Sequence, residues 1–182
     1  MKRRQSYRSP AETFDPGLPV IKAPLASVPV CRVQLVRESS RVLRSVIEDT
    51  EDAAAAIGEY LAHEDREHFV ILMLDAKNHL LGIHTASIGT LNAAIVSPRE
   101  VFKAAILANA TSIIAGHNHP SGDPSPSAED VHVTETLKAV GELLEIHLID
   151  HIIVGEFGAY RSLRQSGCCG LGFGNSKPGP RL

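Results

Sequence analysis

The residues best suited to chemistry lie in one short stretch from Gly116 to Asp130, which reads Gly-His-Asn-His-Pro-Ser-Gly-Asp-Pro-Ser-Pro-Ser-Ala-Glu-Asp. His117 and His119 supply two imidazoles, Asp130 supplies a carboxylate, and Ser127 supplies a hydroxyl. Two imidazoles and a carboxylate form a ligand set for a divalent metal, and three protein ligands leave a position open for water, as in catalytic zinc sites. These ligand types favour Zn²⁺, with iron, cobalt or manganese as alternatives.

The elements on either side should bring these side chains together. The apolar run at 111–115, Thr-Ser-Ile-Ile-Ala, is typical of a buried strand. Side chains two residues apart in a strand project to the same face. His117 and His119 are therefore predicted to leave the carboxyl end of this strand on one side, with Asn118 on the other. The prolines and glycine at 120–126 predict a loop, because proline cannot continue a strand ladder.

A helix is predicted directly after this loop. Apolar residues recur after Ser127 at spacings of four, three and four, which is one face of a helix. Ser127 would then be the N-cap, and Asp130 would lie in the first turn. The two residues could form only a capping arrangement, because a helix N-terminus favours an acidic residue on its own account. Because two histidines precede them, we instead predict that the loop folds the Asp130 carboxylate onto both imidazoles.

The spacing His-x-His, seven residues, Ser, two residues, Asp resembles the signature of the JAMM (MPN/JAB) metalloprotease family. The surrounding segments are most similar to the RadC branch of that family. They are 117–130, Leu148-Ile-Asp-His-Ile-Ile-Val-Gly155, Tyr160-Arg-Ser-Leu163 and Ser97-Pro-Arg-Glu-Val-Phe-Lys103. Long RadC relatives carry an N-terminal helix–hairpin–helix region. Residues 1–66 contain two glycines, Gly17 and Gly58, and no Gly-x-Gly hairpin motif. The chain therefore resembles the short form without that region.

The resemblance implies a mixed α/β (α+β) fold of the MPN/JAB type, which is cytidine-deaminase-like, with a mixed β-sheet flanked by helices. It also implies a zinc-dependent hydrolase that cleaves a peptide or isopeptide bond with metal-activated water. In such an enzyme His117, His119 and Asp130 would hold Zn²⁺, and Ser127 would donate a hydrogen bond to the oxyanion. The partner would be a protein or peptide substrate of unknown identity.

The family also uses a glutamate upstream of the histidine strand as its general base. Glu100 ends the string Ser-Pro-Arg-Glu, which predicts a capping box at 97–100 with proline at the first helical position, and that structural role is sufficient. Glu67 stands just before the apolar run at 69–74. The family's glutamate likewise precedes an apolar strand by a short distance, so the resemblance assigns the base to Glu67.

Two other functions stay open. The chain could be a DNA-repair-associated or nuclease-like accessory protein of the RadC type, but a net charge of −3 and a pI near 6.3 show no general basic footprint for nucleic acid. It could also be a noncatalytic MPN scaffold. Scaffolds of that kind generally lack the ligands, whereas all three are present here.

Length and composition predict one soluble domain. A chain of 182 residues can bury one good core, and 43% hydrophobic with 21% charged residues is ordinary for a globular protein. We predict a flexible arm at 1–28, the RadC-like domain at 29–165 and a glycine-rich disordered tail at 166–182. The sequence shows no apolar run of membrane-spanning length, no secretory signal and three cysteines without a disulfide pattern, so we expect a cytoplasmic protein.

Hydrophobic periodicity predicts the remaining elements. Strands are expected at 29–37, 67–75, 79–88, 92–96, 112–117 and 147–154, and helices from a cap at Asp49 to Leu61, at 98–109 and at 127–145. Asp150 and His151 could line the site from the last long strand, but a packing or surface role is favoured for both.

Overall fold

The computed structural model describes residues 32, 34–36, 46–89, 96–167 and 169. Residues 33–182 group as one unit, and the unit before it, 1–32, is described only at Arg32. Four predicted segments lie wholly or mostly outside the described residues: the arm at 1–28, the strands at 29–37 and 92–96, and the tail at 166–182. The strand predicted at 29–37 is wrong at the residues described there, because Arg32 and residues 34–36 are not in a strand. The other three segments stay predictions.

Three helices and five strands make up the described part of the chain. They are α1 (Thr50–Leu61), β1 (His68–Leu74), β2 (Leu80–Ile88), α2 (Pro98–Leu107), β3 (Ser112–Asn118), α3 (Ala128–Leu144), β4 (His147–Val154) and β5 (Tyr160–Ser162). Every helix and strand predicted wholly within the described residues is confirmed, with its ends within two residues of the prediction. None of the described helices is both long and apolar enough to cross a bilayer.

The five strands form one mixed sheet in the order β2-β1-β3-β4-β5. β1 is antiparallel to both β2 and β3, β3 is parallel to β4, and β5 returns antiparallel to β4. Helix α3 makes the crossover that a parallel pair requires. The sheet with helices on both faces confirms the predicted fold class.

Each face of the sheet is covered by helices, so the central strands β1 and β3 are buried along their whole length. This is why both strands have continuous apolar runs instead of alternating sequences. Helix α1 packs Ile57 against Val70 and Ile152 on one face. Helices α2 and α3 cover the other face with a cluster that contains Phe69, Val101, Phe102, Ile113, Leu137 and Ile153.

Helix α1 approaches β3 closely at Gly116, the residue before the first histidine. A Cβ atom on Gly116 would lie 2.6 Å from Cδ1 of Ile57, which is closer than any ordinary contact. The glycine therefore lets the Ile57 side chain press directly on the β3 backbone. This contact holds the carboxyl end of β3 against the helix and so fixes the position of the backbone that carries the following side chains.

The starts of the helices agree with two of the three sequence predictions. Asp49 caps α1 by accepting a hydrogen bond from the Asp52 backbone N–H at 2.9 Å, and Ser127 caps α3. The predicted capping box at 97–100 is wrong, because Ser97 makes no side-chain hydrogen bond to the helix. The Glu100 carboxylate instead pairs with Lys103 one turn later, and that contact lowers the pKa of Glu100.

Candidate metal centre

Two histidines and one aspartate meet where β3 ends and α3 begins. His117 is fully buried in β3, His119 follows the strand, and Asp130 lies in the first turn of α3. The Nε2 atoms of His117 and His119 are 2.9 Å apart, and Asp130 Oδ1 lies 3.2 Å from Nε2 of His117. Asp130 Oδ2 lies 3.6 Å from Nε2 of His119. The structure thus brings together the three residues predicted as ligands, and they form a group that could hold a metal ion.

The spacing of these atoms suits a small divalent cation. Metal–ligand bonds of about 2.0–2.2 Å in a tetrahedron place neighbouring ligand atoms about 3.3–3.6 Å apart. The separations of 2.9, 3.2 and 3.6 Å scatter around that range, so small side-chain movements are enough to accommodate an ion. The donor set of two nitrogens and one carboxylate oxygen fits the group that the sequence predicts.

The loop between β3 and α3 determines which nitrogen His119 presents. Its Nδ1 atom lies 2.7 Å from the backbone carbonyl oxygen of Asp123, which can only accept a hydrogen bond. Nδ1 of His119 therefore carries the ring proton and donates it. Nε2 of the neutral ring then has a free lone pair, and this nitrogen faces His117 and Asp130. Hydrogen bonds of this kind from the second ring nitrogen are typical of metal-binding histidines.

His117 is held by a chain of three hydrogen bonds that the sequence did not predict. Its Nδ1 lies 2.9 Å from Nε2 of His151 in β4, and Nδ1 of His151 lies 2.6 Å from Oγ1 of Thr134 in α3. The Thr134 hydroxyl donates to the backbone carbonyl of Asp130 at 2.5 Å. The chain therefore starts at one candidate ligand and returns to the main chain of another.

The positions of the protons along this chain follow from the Thr134 hydroxyl, which has only one proton to donate. Since that proton goes to the Asp130 carbonyl, Thr134 Oγ1 accepts from Nδ1 of His151. Nε2 of His151 is then bare and accepts from Nδ1 of His117. In this order Nε2 of His117 has no proton. Both imidazoles consequently direct a lone pair toward the same point, beside a carboxylate.

The buried side of the centre is apolar. Phe69 in β1 stacks on His117 with ring centroids 6.0 Å apart and contacts His151 edge-on at 5.3 Å. His151 is fully buried. Burial, together with the neighbouring His117, holds the pKa of His151 well below its usual value. The His151 ring is therefore neutral and carries one proton.

Asp130 takes part in the helix cap and in the candidate metal centre at once. Its Oδ2 accepts hydrogen bonds from the backbone N–H and the hydroxyl of Ser127, both at 2.7 Å, and Ser127 Oγ accepts from the Asp130 N–H at 3.1 Å. Oδ1 is left toward the imidazoles. Burial acts to raise the pKa of Asp130, whereas the two hydrogen bonds from Ser127 act to lower it. The two explanations weighed for the sequence, capping and metal binding, are therefore compatible: Oδ2 completes the cap, and Oδ1 is the oxygen nearest to His117.

Glu67, the predicted general base, lies immediately before β1. Glu67 is two residues before Phe69, which pairs with His117 at the end of the β1–β3 register. Alternation along an extended chain also gives Glu67 the same face as Phe69, which is the face of the centre. The Asn118 side chain clamps the backbone on both sides of Glu67: it accepts from the His68 N–H and donates to the Arg66 carbonyl, each at 2.8 Å.

Asp150 has a structural role on the other face of the sheet. Its buried carboxylate accepts hydrogen bonds from the hydroxyl of Ser162 at 2.7 Å and from the Arg164 backbone N–H at 3.1 Å. It therefore holds the segment at 162–164 onto β4. Of the two adjacent residues considered for the site, only His151 contacts a candidate ligand.

A groove of about 810 Å³ borders the centre, and its lining includes Asn118 and His119. One wall is formed by α1, where the small residues Ala55 and Gly58 lie among larger ones such as Glu59, and the other by the turn at 154–160 after β4. Binding pockets in proteins commonly have volumes of about 300–1,000 Å³. The groove is thus large enough for several residues of an extended peptide.

Comparison with known proteins gives one family and many relatives. The family model for the RadC-like JAB domain matches residues 47–168, which include His117, His119, Ser127 and Asp130. A UPF0758 protein of Shouchella clausii is 45% identical over 152 residues, covering 84% of this chain and 66% of the relative. A UPF0758 protein of Desulfitobacterium hafniense is 46% identical over 129 residues, covering 71% and 56%. A UPF0758 protein of Methanosarcina acetivorans is 45% identical over 143 residues, covering 75% and 62%.

The names of these relatives state no activity. The chain spans between half and two thirds of the length of the curated relatives that it matches.

Proposed function

The chain belongs to the family of RadC-like JAB domains, and on that premise we propose that it is a zinc-dependent hydrolase of a peptide or isopeptide bond. The proposal is carried by the convergence of two imidazole nitrogens, 2.9 Å apart, with the Asp130 carboxylate, whose Oδ1 lies 3.2 Å from Nε2 of His117 and whose Oδ2 lies 3.6 Å from Nε2 of His119. Three lone pairs that face each other repel unless a proton or cation lies between them. His117, His119 and Asp130 are the metal ligands in this proposal.

The chemistry requires an activated water and a polarised carbonyl. Zn²⁺ held by these residues would supply both, because it would act as a Lewis acid on the carbonyl and lower the pKa of a water molecule to about 7. Glu67 takes a proton from the attacking water and returns it to the leaving nitrogen as the C–N bond breaks. The pairing of β1 with β3 supports this role, because Glu67 is two residues before Phe69, the residue that pairs with His117.

Ser127 is the proposed donor to the oxygen of the tetrahedral intermediate. Its side chain is exposed at the start of α3, and its hydroxyl donates to Asp130 Oδ2. Rotation about the Cα–Cβ bond redirects that donor toward a substrate carbonyl, while the Ser127 backbone N–H still holds Oδ2. The loss of one such donor typically costs about 3 kcal/mol of transition-state stabilisation.

A peptide substrate has a place to lie in the groove between α1 and the turn at 154–160. The groove reaches His119, so a chain bound along it passes the proposed centre. The small side chains of the α1 wall leave room for a peptide backbone to approach.

The test combines metal analysis with cleavage of a peptide library by protein purified without a polyhistidine tag. We expect one equivalent of zinc per chain and metal-dependent cleavage. Glu67→Gln should keep the zinc and lower turnover by about 10²–10⁴-fold, the usual contribution of a general base. Glu100→Gln is the matched control, because this carboxylate pairs with Lys103 on α2 and is expected to leave turnover unchanged.

Three outcomes would contradict the proposal. Zinc well below one equivalent after reconstitution would favour a noncatalytic scaffold. Cleavage of supercoiled plasmid that depends on metal and is lost in His119→Ala would favour a nuclease. Full peptidase activity in Glu67→Gln would remove Glu67 from the role of general base.

A further inference from the structure

The strongest feature not used by the proposed chemistry is the buried hydrogen-bond chain behind His117. We propose that Thr134, acting through His151, sets the order of protons along this chain and thereby keeps Nε2 of His117 free as the ligand atom. Thr134 and His151 are positioning residues in this inference. The inference rests on the metal centre of the proposed function but not on hydrolysis.

The chain can carry its protons in two directions. In the first, His117 donates to His151, His151 donates to Thr134, and Thr134 donates to the carbonyl of Asp130. In the second, Thr134 donates to His151, whose Nε2–H then donates to Nδ1 of His117. The second order places a proton on Nε2 of His117, the atom that faces His119 and Asp130.

The geometry at Thr134 favours the first direction. Its Oγ1 lies 2.5 Å from the backbone carbonyl of Asp130, which accepts but cannot donate. The hydroxyl therefore donates its only proton to this carbonyl, and it presents a lone pair to Nδ1 of His151 at 2.6 Å. Thr134 and His151 are both fully buried, so water does not compete for these contacts.

Replacing Thr134 by valine removes the hydroxyl and keeps nearly the same shape. Nδ1–H of His151 would then face a methyl group, which leaves a buried donor without an acceptor. Moving the ring proton to Nε2 avoids that, but Nε2–H then donates to Nδ1 of His117. His117 is left with its proton on the ligand atom, and metal binding must displace it.

Two measurements test the inference, and neither depends on enzyme activity. The first is the affinity for Zn²⁺ and for Co²⁺, by competition with a chelator, together with the visible absorption spectrum of the cobalt form. We expect Thr134→Val to weaken affinity by about 10–100-fold, the range found when a hydrogen-bond partner of a metal ligand is lost. Thr134→Ser, which keeps the hydroxyl, should stay close to the parent protein.

Thr136→Val is the matched control. Thr136 lies on the same helix, and its hydroxyl donates to the backbone carbonyl of His132 at 2.9 Å, but it contacts no histidine ring. The substitution removes the same kind of bond, so we expect metal affinity and the cobalt spectrum to be unchanged.

The second measurement is the position of the ring protons in ¹⁵N-histidine NMR spectra. In the zinc form of the parent we expect protons on Nδ1 of both His117 and His151, and in metal-free Thr134→Val a proton on Nε2 of His151. Unchanged affinity in Thr134→Val, or a His151 proton on Nε2 in the parent zinc form, would overturn the inference. Correct proton positions without any peptide cleavage would instead count against the proposed function alone.

Discussion

At the scale of single residues, Asp130 has two duties that can be separated. One oxygen completes the cap of α3, and the other faces the imidazoles. Asp130→Asn keeps an oxygen to accept from Ser127 and turns an amide donor toward the bare nitrogen of His117. We therefore expect the melting temperature to change little, while zinc affinity falls by more than the roughly 10–100-fold loss that follows removal of a hydrogen-bond partner of a metal ligand. Calorimetry and zinc titration measure the two effects.

Ser127→Ala is the complementary variant. It removes the hydroxyl that accepts from the Asp130 N–H, so it should lower the free energy of unfolding by about 1 kcal/mol, as for other N-cap losses. The Asp130 carboxylate is still held by the Ser127 backbone N–H and should still bind zinc. If Asp130→Asn kept full zinc affinity while Ser127→Ala lost it, the assignment of Asp130 as the ligand would be wrong.

Residue spacing predicted part of the centre but not all of it. The histidine pair and the first-turn aspartate are local in sequence, and strand and helix periodicities bring them together. The contact of His117 with His151 depends on the parallel register that sets Ala115 opposite His151, and no local pattern encodes that register. The capping box at 97–100 was wrong for a related reason, because Lys103 competes for the Glu100 carboxylate.

At the scale of elements, the packing of α1 on β3 depends on the missing side chain of Gly116. Gly116→Ala should lower the free energy of unfolding by about 1–3 kcal/mol, because the new methyl group overlaps Cδ1 of Ile57. Ile57→Val removes that atom at a cost of about 0.5–1.5 kcal/mol by itself. In denaturant unfolding we expect the double variant to lose less than the sum of the two single losses; simple additivity would show that the two residues do not press on each other.

The junction of β3 with β1 depends on the Asn118 amide. Asn118→Ala leaves the His68 N–H and the Arg66 carbonyl without their partner and should cost about 1–3 kcal/mol for the His68 N–H, which is the buried one of the two groups. Because Glu67 lies between those two groups, turnover should fall while zinc content stays at the parent level. Asn118→Asp keeps the acceptor for His68 and should lie between the parent and the alanine variant. Equal turnover in all three proteins would contradict a link between this clamp and the base.

At the scale of the whole molecule, the groove offers a test of where the substrate binds. A Cβ atom added at Gly58 meets no atom within 4 Å, so a large side chain fits there without disturbing the core. Gly58→Trp should fill the groove, raise KM for a cleaved peptide and leave zinc content unchanged. Gly58→Ala is the control: it should keep KM and stabilise α1 by about 0.5–1 kcal/mol. An unchanged KM in the tryptophan variant would mean that substrate binds elsewhere.

Most of the architecture could be predicted from the sequence because each helix and strand is amphipathic or apolar over its own length. The strands β1 and β3 have unbroken apolar runs, which indicates burial on both faces. The order of the strands in the sheet is not encoded in the pattern of any single element. It comes from the packing of α1 on one face and of α2 and α3 on the other, and the order β2-β1-β3-β4-β5 appears only in the assembled sheet.

The parallel pairing of β3 with β4 also affects how the protein is made. During synthesis His117 leaves the ribosome 34 residues before His151, the ring that orients it. Until β4 is complete, β3 has one unpaired edge, and such edges can join strands of other chains. A nascent or truncated polypeptide that stops before β4 would thus contain all three candidate ligands and still be prone to aggregate through this edge.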